Sequence, residues 1–275
     1  MTWDDLPPLR DGLAGAGLSA RKSLGQHFLL DLNLTRKIAR LAGPLAGETV
    51  IEIGPGPGGL TRALLEAGAS VLAVEKDGRF LAMLGALAER AEGRLRIVEA
   101  DALTLDAPSL AGGAAIVANL PYNIATPLLV RWLTAPTLPK AMTLMFQKEV
   151  AQRIVAPPGC KTYGRLSVLA QGLCEAKIVM ELPARAFTPP PKVDSAVVRL
   201  TPRPDGPAGA LLDRLQHVTS AAFGQRRKML RSSLKELGGE ALCARAGLAA
   251  SLRAEDVGVA GYLALARARL EASAP

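Results

Sequence analysis

Thr49-Val50-Ile51-Glu52-Ile53 runs into Gly54-Pro55-Gly56-Pro57-Gly58-Gly59, and a helix pattern follows from Leu60 to Ala67. The first five residues read as a buried strand. The whole stretch is therefore strand, glycine loop, helix, the opening unit of a doubly wound α/β sheet with a nucleotide-type cofactor loop. Moving outward, Ser70 to Val74 is a second strand, and Glu75 ends it 21 positions after Gly54. Leu95 to Val98 is a third, ending in Glu99-Ala100-Asp101-Ala102. Ala115 to Ala118 is a fourth, ending at Asn119, with a helix expected from Thr126-Pro127. Lys140 to Phe146 is a fifth, followed by a helical segment, 147–153. Alternating strands and helices imply a parallel sheet. Ligands on such sheets bind at the carboxyl ends of the strands, and Gly54, Glu75, Asp101 and Asn119 all fall on that edge.

Gly54-x-Gly56-x-x-Gly59 with a downstream acid fits a dinucleotide fingerprint literally. Pyrophosphate, however, needs backbone N–H donors in the loop, and Pro55 and Pro57 remove two of them. S-adenosylmethionine carries no phosphate. It asks for close backbone approach, an acid for the ribose hydroxyls (Glu75) and an acceptor for the adenine amino group (Asp101). The only histidines are His27 and His217, and no hydride-transfer constellation is visible. The residues favour the methyl donor and leave the dinucleotide open.

Ala118-Asn119-Leu120-Pro121-Tyr122 ends the fourth strand on a proline. Pro121 biases Leu120 toward extended backbone. The Asn119 side-chain oxygen and the Leu120 carbonyl can then act as two acceptors beside the flat face of Tyr122. Such a pair suits a planar ring with an exocyclic amino group. Acceptors on its N–H bonds orient it and stabilise the charge that develops when it attacks. The plainer alternative is a strand end, an X-Pro turn and a core tyrosine.

The 275 residues allow one large domain and a small one, and 49% hydrophobic content is that of a globular protein. No apolar run reaches membrane-spanning length, and the N-terminus reads as neither a signal nor a transit peptide. Cys160, Cys174 and Cys243 lack metal or disulfide spacing and point to a reducing, cytoplasmic setting. The net charge of +8 favours a polyanionic partner. Residues 201–275 hold 11 Lys/Arg and 7 Asp/Glu, so the excess is spread over both parts of the chain.

Residues 1–20 read as a flexible N-terminal arm. Arg21 and Lys22 then form a basic patch just before a helix that Asp31 caps. Lys177–Leu182 and Ser195–Leu200 are β-rich and flank Phe187-Thr188-Pro189-Pro190-Pro191. Thr201–Gly209 is a linker by composition. Helices are expected over 210–223, 225–237, 240–246 and 257–272. The domains are therefore 21–204 and a small all-α domain at 205–275. In the second, Arg227, Arg231 and Lys235 recur at i, i+4 and share a helix face, flanked by Arg226 and Lys228. That row is either a solvated face or a ridge that contacts phosphates.

With these segments together the chain resembles the ribosomal RNA small-subunit adenine dimethyltransferases (KsgA/RsmA type). The resemblance rests on GQHFL at 25–29, EIGPGPGGLT at 52–61, VEKD at 74–77, EADA at 99–102, ANLPYNIATPLL at 118–129, FQKEVAQRIVA at 146–156, YGRLSVLAQ at 163–171, AFTPPPKVDSAVVRL at 186–200 and AFGQRRKMLRSSL at 222–234. It implies a Rossmann-like seven-stranded methyltransferase sheet whose seventh strand is antiparallel, with an all-α C-terminal domain. It implies transfer of two methyls from S-adenosylmethionine to N6 of each of two adjacent adenosines near the 3′ end of small-subunit rRNA. By the same resemblance His27 and the Leu29 backbone contact the methionine end of the donor; many relatives carry Asn at the position of His27. Gly54 lines the loop, Glu75 holds the ribose, Asp101 holds the donor adenine and Asn119 bridges donor and target. Asn119 and the Leu120 carbonyl hold the target N6, Tyr122 stacks on the base and Phe187 closes its other face. Arg21, Lys22, Arg226, Arg227, Lys228 and Arg231 are the expected RNA contacts. The expected partner is the small-subunit rRNA or its 30S precursor particle. The protein is expected to be monomeric, with no membrane association and no metal, because the sulfonium is already activated. Another nucleic-acid adenine N6-methyltransferase, or a non-enzymatic RNA-binding assembly factor, would keep much of the same framework.

Overall fold

The computed structural model describes residue 3, residues 6–106, residue 109 and residues 111–272. Nine strands lie among them: β1 (Phe28–Leu29), β2 (Thr49–Ile53), β3 (Ser70–Glu75), β4 (Leu95–Glu99), β5 (Ala115–Ala118), β6 (Met142–Gln147), β7 (Cys174–Leu182), β8 (Phe187–Thr188) and β9 (Ser195–Pro202). Seven of them form one sheet in the order β4-β3-β2-β5-β6-β9-β7. Parallel ladders join β2 to β3 and β5, β3 to β4, and β5 to β6. Ile53 faces Val74 and Glu75 faces Glu99, so the strands end nearly level. Val50, Ile51, Ile53 and the run from Val71 to Val74 are buried, as strands covered on both faces require. β1 and β8 pair separately and antiparallel, with Leu29 opposite Phe187.

The chain divides into two compact units. One comprises Met1–Trp132, Thr137–Ala151 and Ile178–Arg199; the other comprises Leu133–Pro136, Gln152–Lys177 and Leu200–Pro275. In the second unit the helices Arg165–Leu173, Gly209–Gly224 and Val259–Glu271 pack on one another. Tyr163, Phe223 and Tyr262 form its aromatic centre. The two buried phenols are satisfied by backbone carbonyls, Tyr163 on Val257 at 3.0 Å and Tyr262 on Ala254 at 2.7 Å.

Four expectations need correction. The N-terminal arm carries a helix, Leu9–Gly15, with Leu9 and Leu13 buried one turn apart. The Arg62 guanidinium fastens its approach by donating to the Pro7 carbonyl at 3.0 Å. The helix expected from Thr126 begins at Tyr122 instead, because the Pro121 carbonyl already accepts the Ile124 and Ala125 N–H groups; Pro127 lies inside it. Arg165–Leu173 is a helix with no counterpart in the expected elements. Finally, 225–237 is not one helix. Met229 is extended and bridges Arg253, and only Leu230–Ser233 and a tight turn at Lys235–Leu237 are helical. Arg227, Arg231 and Lys235 therefore do not line up as a single ridge.

Candidate active site

The level strand ends and the segment before β1 enclose a cavity of about 250 Å³. Gly54, Glu75, Asp101 and Asn119 line it, as the topology predicts, together with Leu120 and Tyr122. His27 and Leu29 close it from the N-terminal side.

The glycine loop is built to lie close, and its donors are already engaged. Gly54, Gly56 and Gly58 all take positive φ, where L side chains are strained. A Cβ at Gly56 would meet the Phe28 ring at 3.1 Å. The Gly54 N–H donates to the Val74 carbonyl, the Gly56 N–H to Glu75 Oε2 at 2.9 Å, and the Gly58 N–H to the Pro55 carbonyl. With Pro55 and Pro57 lacking an N–H, the stretch 54–58 offers no free donor to a phosphate. This favours the methyl-donor reading of the loop: the cradle fits a ligand held by shape and by Glu75.

Glu75 is 5% exposed. Its second oxygen accepts the Asp77 N–H at 2.8 Å. Burial raises its pKa, and the two backbone N–H groups oppose that rise. The result is a carboxylate of fixed orientation with lone pairs left on both oxygens. Asp101 Oδ2 pairs with the Lys76 ammonium at 2.7 Å, and Oδ1 accepts the Leu103 N–H at 2.9 Å. Lys76 first, and then that N–H, hold its carboxyl below the usual range. Lys76 was given no role from the sequence, although it adjoins Glu75.

Asn119 donates from Nδ2 to the His27 carbonyl at 3.1 Å. A carbonyl can only accept, so this contact assigns the amide and leaves Oδ1 as its free acceptor. The Leu120 carbonyl has no hydrogen bond among the described residues. His27 Nδ1 lies 2.7 Å from the Pro189 carbonyl, which places the ring proton on Nδ1. The His27 ring stacks on Tyr122 at 5.6 Å between centroids and 28° between planes. The Tyr122 hydroxyl lies 2.6 Å from Ser195 Oγ, and burial raises the phenol's pKa.

Phe187 is 3% exposed and packs in the core of the first unit. It is not among the residues that line the cavity, and its strand partner Leu29 is. Three further residues matter here and were given no role from the sequence. Gln26 donates from Nε2 to Asp77 at 2.9 Å, and its Oε1 accepts the Arg21 N–H at 2.8 Å, tying the basic arm to the loop after Glu75. Asp77, gripped by Arg79, has its pKa lowered to about 2. Glu52 lies within β2, 1% exposed, and accepts the Thr61 hydroxyl at 2.7 Å. A charged residue inside an apolar strand was the available signal for it.

In the second unit Arg226 is engaged with Glu255 at 2.6 Å and with the Cys160 carbonyl at 3.4 Å. Arg227, Lys228 and Arg231 are on the surface. Arg21 and Lys22 are exposed as well. Among the described residues no helix is long and apolar enough to cross a membrane, and no three His, Cys, Asp or Glu side chains converge as a metal set.

Residues 17–267 match the protein family described as ribosomal RNA adenine dimethylase. A Caulobacter vibrioides protein named ribosomal RNA small subunit methyltransferase A is 66% identical over 252 residues, covering 91% of this chain and 98% of its own length. The crystal structure of a dimethyladenosine transferase from Plasmodium falciparum superposes with a TM-score of 0.73 at 26% identity, over 87% of this chain and 96% of that one. The crystal structure of the 23S rRNA methyltransferase ErmE does so with 0.67 at 30% identity, over 89% and 99%.

Proposed function

The chain belongs to the ribosomal RNA adenine dimethylase family, and from that premise we propose how its pocket works. The enzyme transfers methyl groups to N6 of two adjacent adenosines near the 3′ end of small-subunit (16S) rRNA and leaves N6,N6-dimethyladenosine. The observation that carries this reading is the assigned amide of Asn119: with Nδ2 held by His27, Oδ1 and the Leu120 carbonyl remain as two acceptors for one exocyclic amine. They orient N6 through its N–H bonds and stabilise the positive charge that grows there during attack. Once one methyl is on, one N–H remains to be held, so the same pair serves the second transfer. Tyr122 supplies the face on which the target base packs.

S-adenosylmethionine, when bound, supplies the activated methyl group. The residues present fit it: Gly54 gives close backbone approach, Glu75 accepts from the ribose hydroxyls, and Asp101 accepts from the adenine amino group. His27 and the Leu29 backbone meet the methionine end, and Asn119 stands between donor and target. No metal and no strong base are needed in this reading, because the leaving sulfur is already cationic and the proton that the methylated N6 sheds passes to water. The chain's contribution is positioning and charge stabilisation.

The substrate is the 30S precursor particle in the cytoplasm, approached by a monomer. Arg21, Lys22, Arg227, Lys228 and Arg231 contact phosphates and so position the RNA without reading its bases. Arg226 supports that surface through Glu255. The helical part beyond residue 204 is the docking domain. Tritiated methyl transfer offered in parallel to unmethylated small subunits and to large-subunit RNA, followed by nucleoside analysis of the small-subunit 3′ RNA fragment, tests the reading. Labelled N6,N6-dimethyladenosine in that fragment is expected. Label confined to large-subunit RNA would give this chain the target class of the ErmE relative, and absence of transfer would leave an assembly factor.

A further inference from the structure

We propose that Ser195 is a positioning residue for the transfer, fixing the orientation of the Tyr122 ring through its buried hydroxyl. The inference rests on the reading of Tyr122 as the platform for the target base.

Ser195 opens β9 and is fully buried, and the next three residues, Ala196, Val197 and Val198, are fully buried apolar residues. A lone hydroxyl there is costly unless it is hydrogen-bonded. Its Oγ lies 2.6 Å from the Tyr122 hydroxyl, the only hydrogen bond that either side chain makes among the described residues. The strand end carrying it is itself held. The Asp194 carbonyl accepts the Lys148 N–H at 2.9 Å, and the Asp194 carboxylate accepts the Ala184 N–H at 2.9 Å. Ser195 is therefore an anchor on a fixed support.

Tyr122 needs such an anchor. It starts its helix immediately after Pro121, with no preceding turn to pack its ring against. The terminal torsion of a tyrosine is broad, so the stem alone does not set the plane of the ring. A bond at the para oxygen acts at the far end of the side chain and restrains both torsions. His27 stacks over one side of the ring, and its own orientation is set by Pro189. The ring is held at its tip by Ser195 and on one side by His27. Base–aromatic stacking depends on that plane, and misplacement of the order of 1 Å at a reacting centre is costly in rate.

The test compares Ser195→Ala, Tyr122→Phe, the double variant and Tyr122→Ala in single-turnover transfer to unmethylated small subunits. Donor binding and thermal midpoint are measured on each. Ser195→Ala and Tyr122→Phe should each slow transfer about tenfold, the scale of one neutral hydrogen bond. Donor affinity should stay unchanged. The double variant should be no slower than either single one, because both changes remove the same bond. Wild-type rates in Tyr122→Phe overturn the proposal even if Ser195→Ala does not fold. So do losses that multiply in the double variant, or a Ser195→Ala defect that follows a fall in donor affinity. Tyr122→Ala separates this inference from its premise. If it transfers at the wild-type rate, Tyr122 is not the platform. If it is crippled while Tyr122→Phe is intact, the platform stands and the role of Ser195 falls.

Discussion

Glu52→Gln should make the protein more stable at neutral and alkaline pH and leave it unchanged near pH 4. Glu52 sits inside β2, 1% exposed, with Thr61 as its hydrogen-bond donor. Burial, with a smaller contribution from Glu75, pushes its carboxyl up to about 8, against the lowering effect of the Thr61 hydroxyl. In the unfolded chain the same group ionises near its ordinary value of 4.5. Between those two values the folded protein holds a proton that the unfolded chain releases. Stability therefore falls as pH rises through that window. At pH 7 the gap from the unfolded value is about 2.5 units, which at ~1.4 kcal/mol per unit is on the order of 3 kcal/mol. The side-chain amide introduced by Glu52→Gln cannot ionise and still offers Thr61 an acceptor, so the penalty is absent. Urea unfolding of both proteins from about pH 4 to about pH 9 reads it out. The two stabilities should coincide near pH 4, separate above about pH 4.5 by roughly 1.4 kcal/mol per pH unit up to about pH 8, and then run parallel. A constant offset across the whole range would mean that Glu52 is ionised in the fold, and would refute the assignment of a protonated carboxyl beneath the glycine loop.

Asn119→Ala should slow methyl transfer on the order of 100-fold in single turnover, the usual loss for one charge-stabilising group, while calorimetry still shows donor binding. At saturating donor, mass spectrometry of wild-type product should show N6,N6-dimethyladenosine as the end point, because the monomethyl nucleoside keeps one N–H for Oδ1 and the Leu120 carbonyl; accumulation of monomethyl product alone contradicts that. Replacing Arg227 and Lys228 by Ala should flatten the log–log salt dependence of RNA binding by roughly one unit per lost phosphate contact, with the thermal midpoint unchanged. Arg226→Ala should behave differently, lowering the thermal midpoint by freeing Glu255 and loosening the segment at Cys160.

The five parallel strands were legible because they are short, mostly apolar runs closed by polar or glycine residues, and each run lies where a parallel ladder needs it. The elements that escaped have physical reasons. Arg165–Leu173 buries Ser167, Val168, Leu169, Ala170, Gly172 and Leu173, so it shows no polar face and no helical alternation. The helix Leu9–Gly15 is short and holds Gly12 and Gly15, both weak helix formers, and only the spacing of Leu9 and Leu13 marks its buried side. Residues 225–237 show the opposite failure. Their charges recur at helical spacing, but Leu230 N–H donates to the Leu252 carbonyl and Arg231 N–H to Ala250, and these distant partners override the local pattern.

At the site, residue types and strand-end positions were legible, and the residual valence of each group was not. A carboxylate read from sequence has four acceptor positions; in the fold Glu75 has already taken the Gly56 and Asp77 N–H groups, and Asp101 has taken Lys76 and the Leu103 N–H. What each can still offer a ligand is what these contacts leave. The same holds for cations: Arg226 and Arg227 are indistinguishable as sequence, yet Arg226 has Glu255 and the Cys160 carbonyl before any RNA arrives. It holds most sharply at Asn119. An amide can present either a donor or an acceptor to its surroundings, and only an acceptor suits an attacking amine. That choice is made by the His27 carbonyl, 92 positions away, because it can accept only from Nδ2. In the proposed pocket the chemistry thus depends on a long-range backbone contact, through which the segment around His27 takes part although His27 itself has no acid–base role in that proposal.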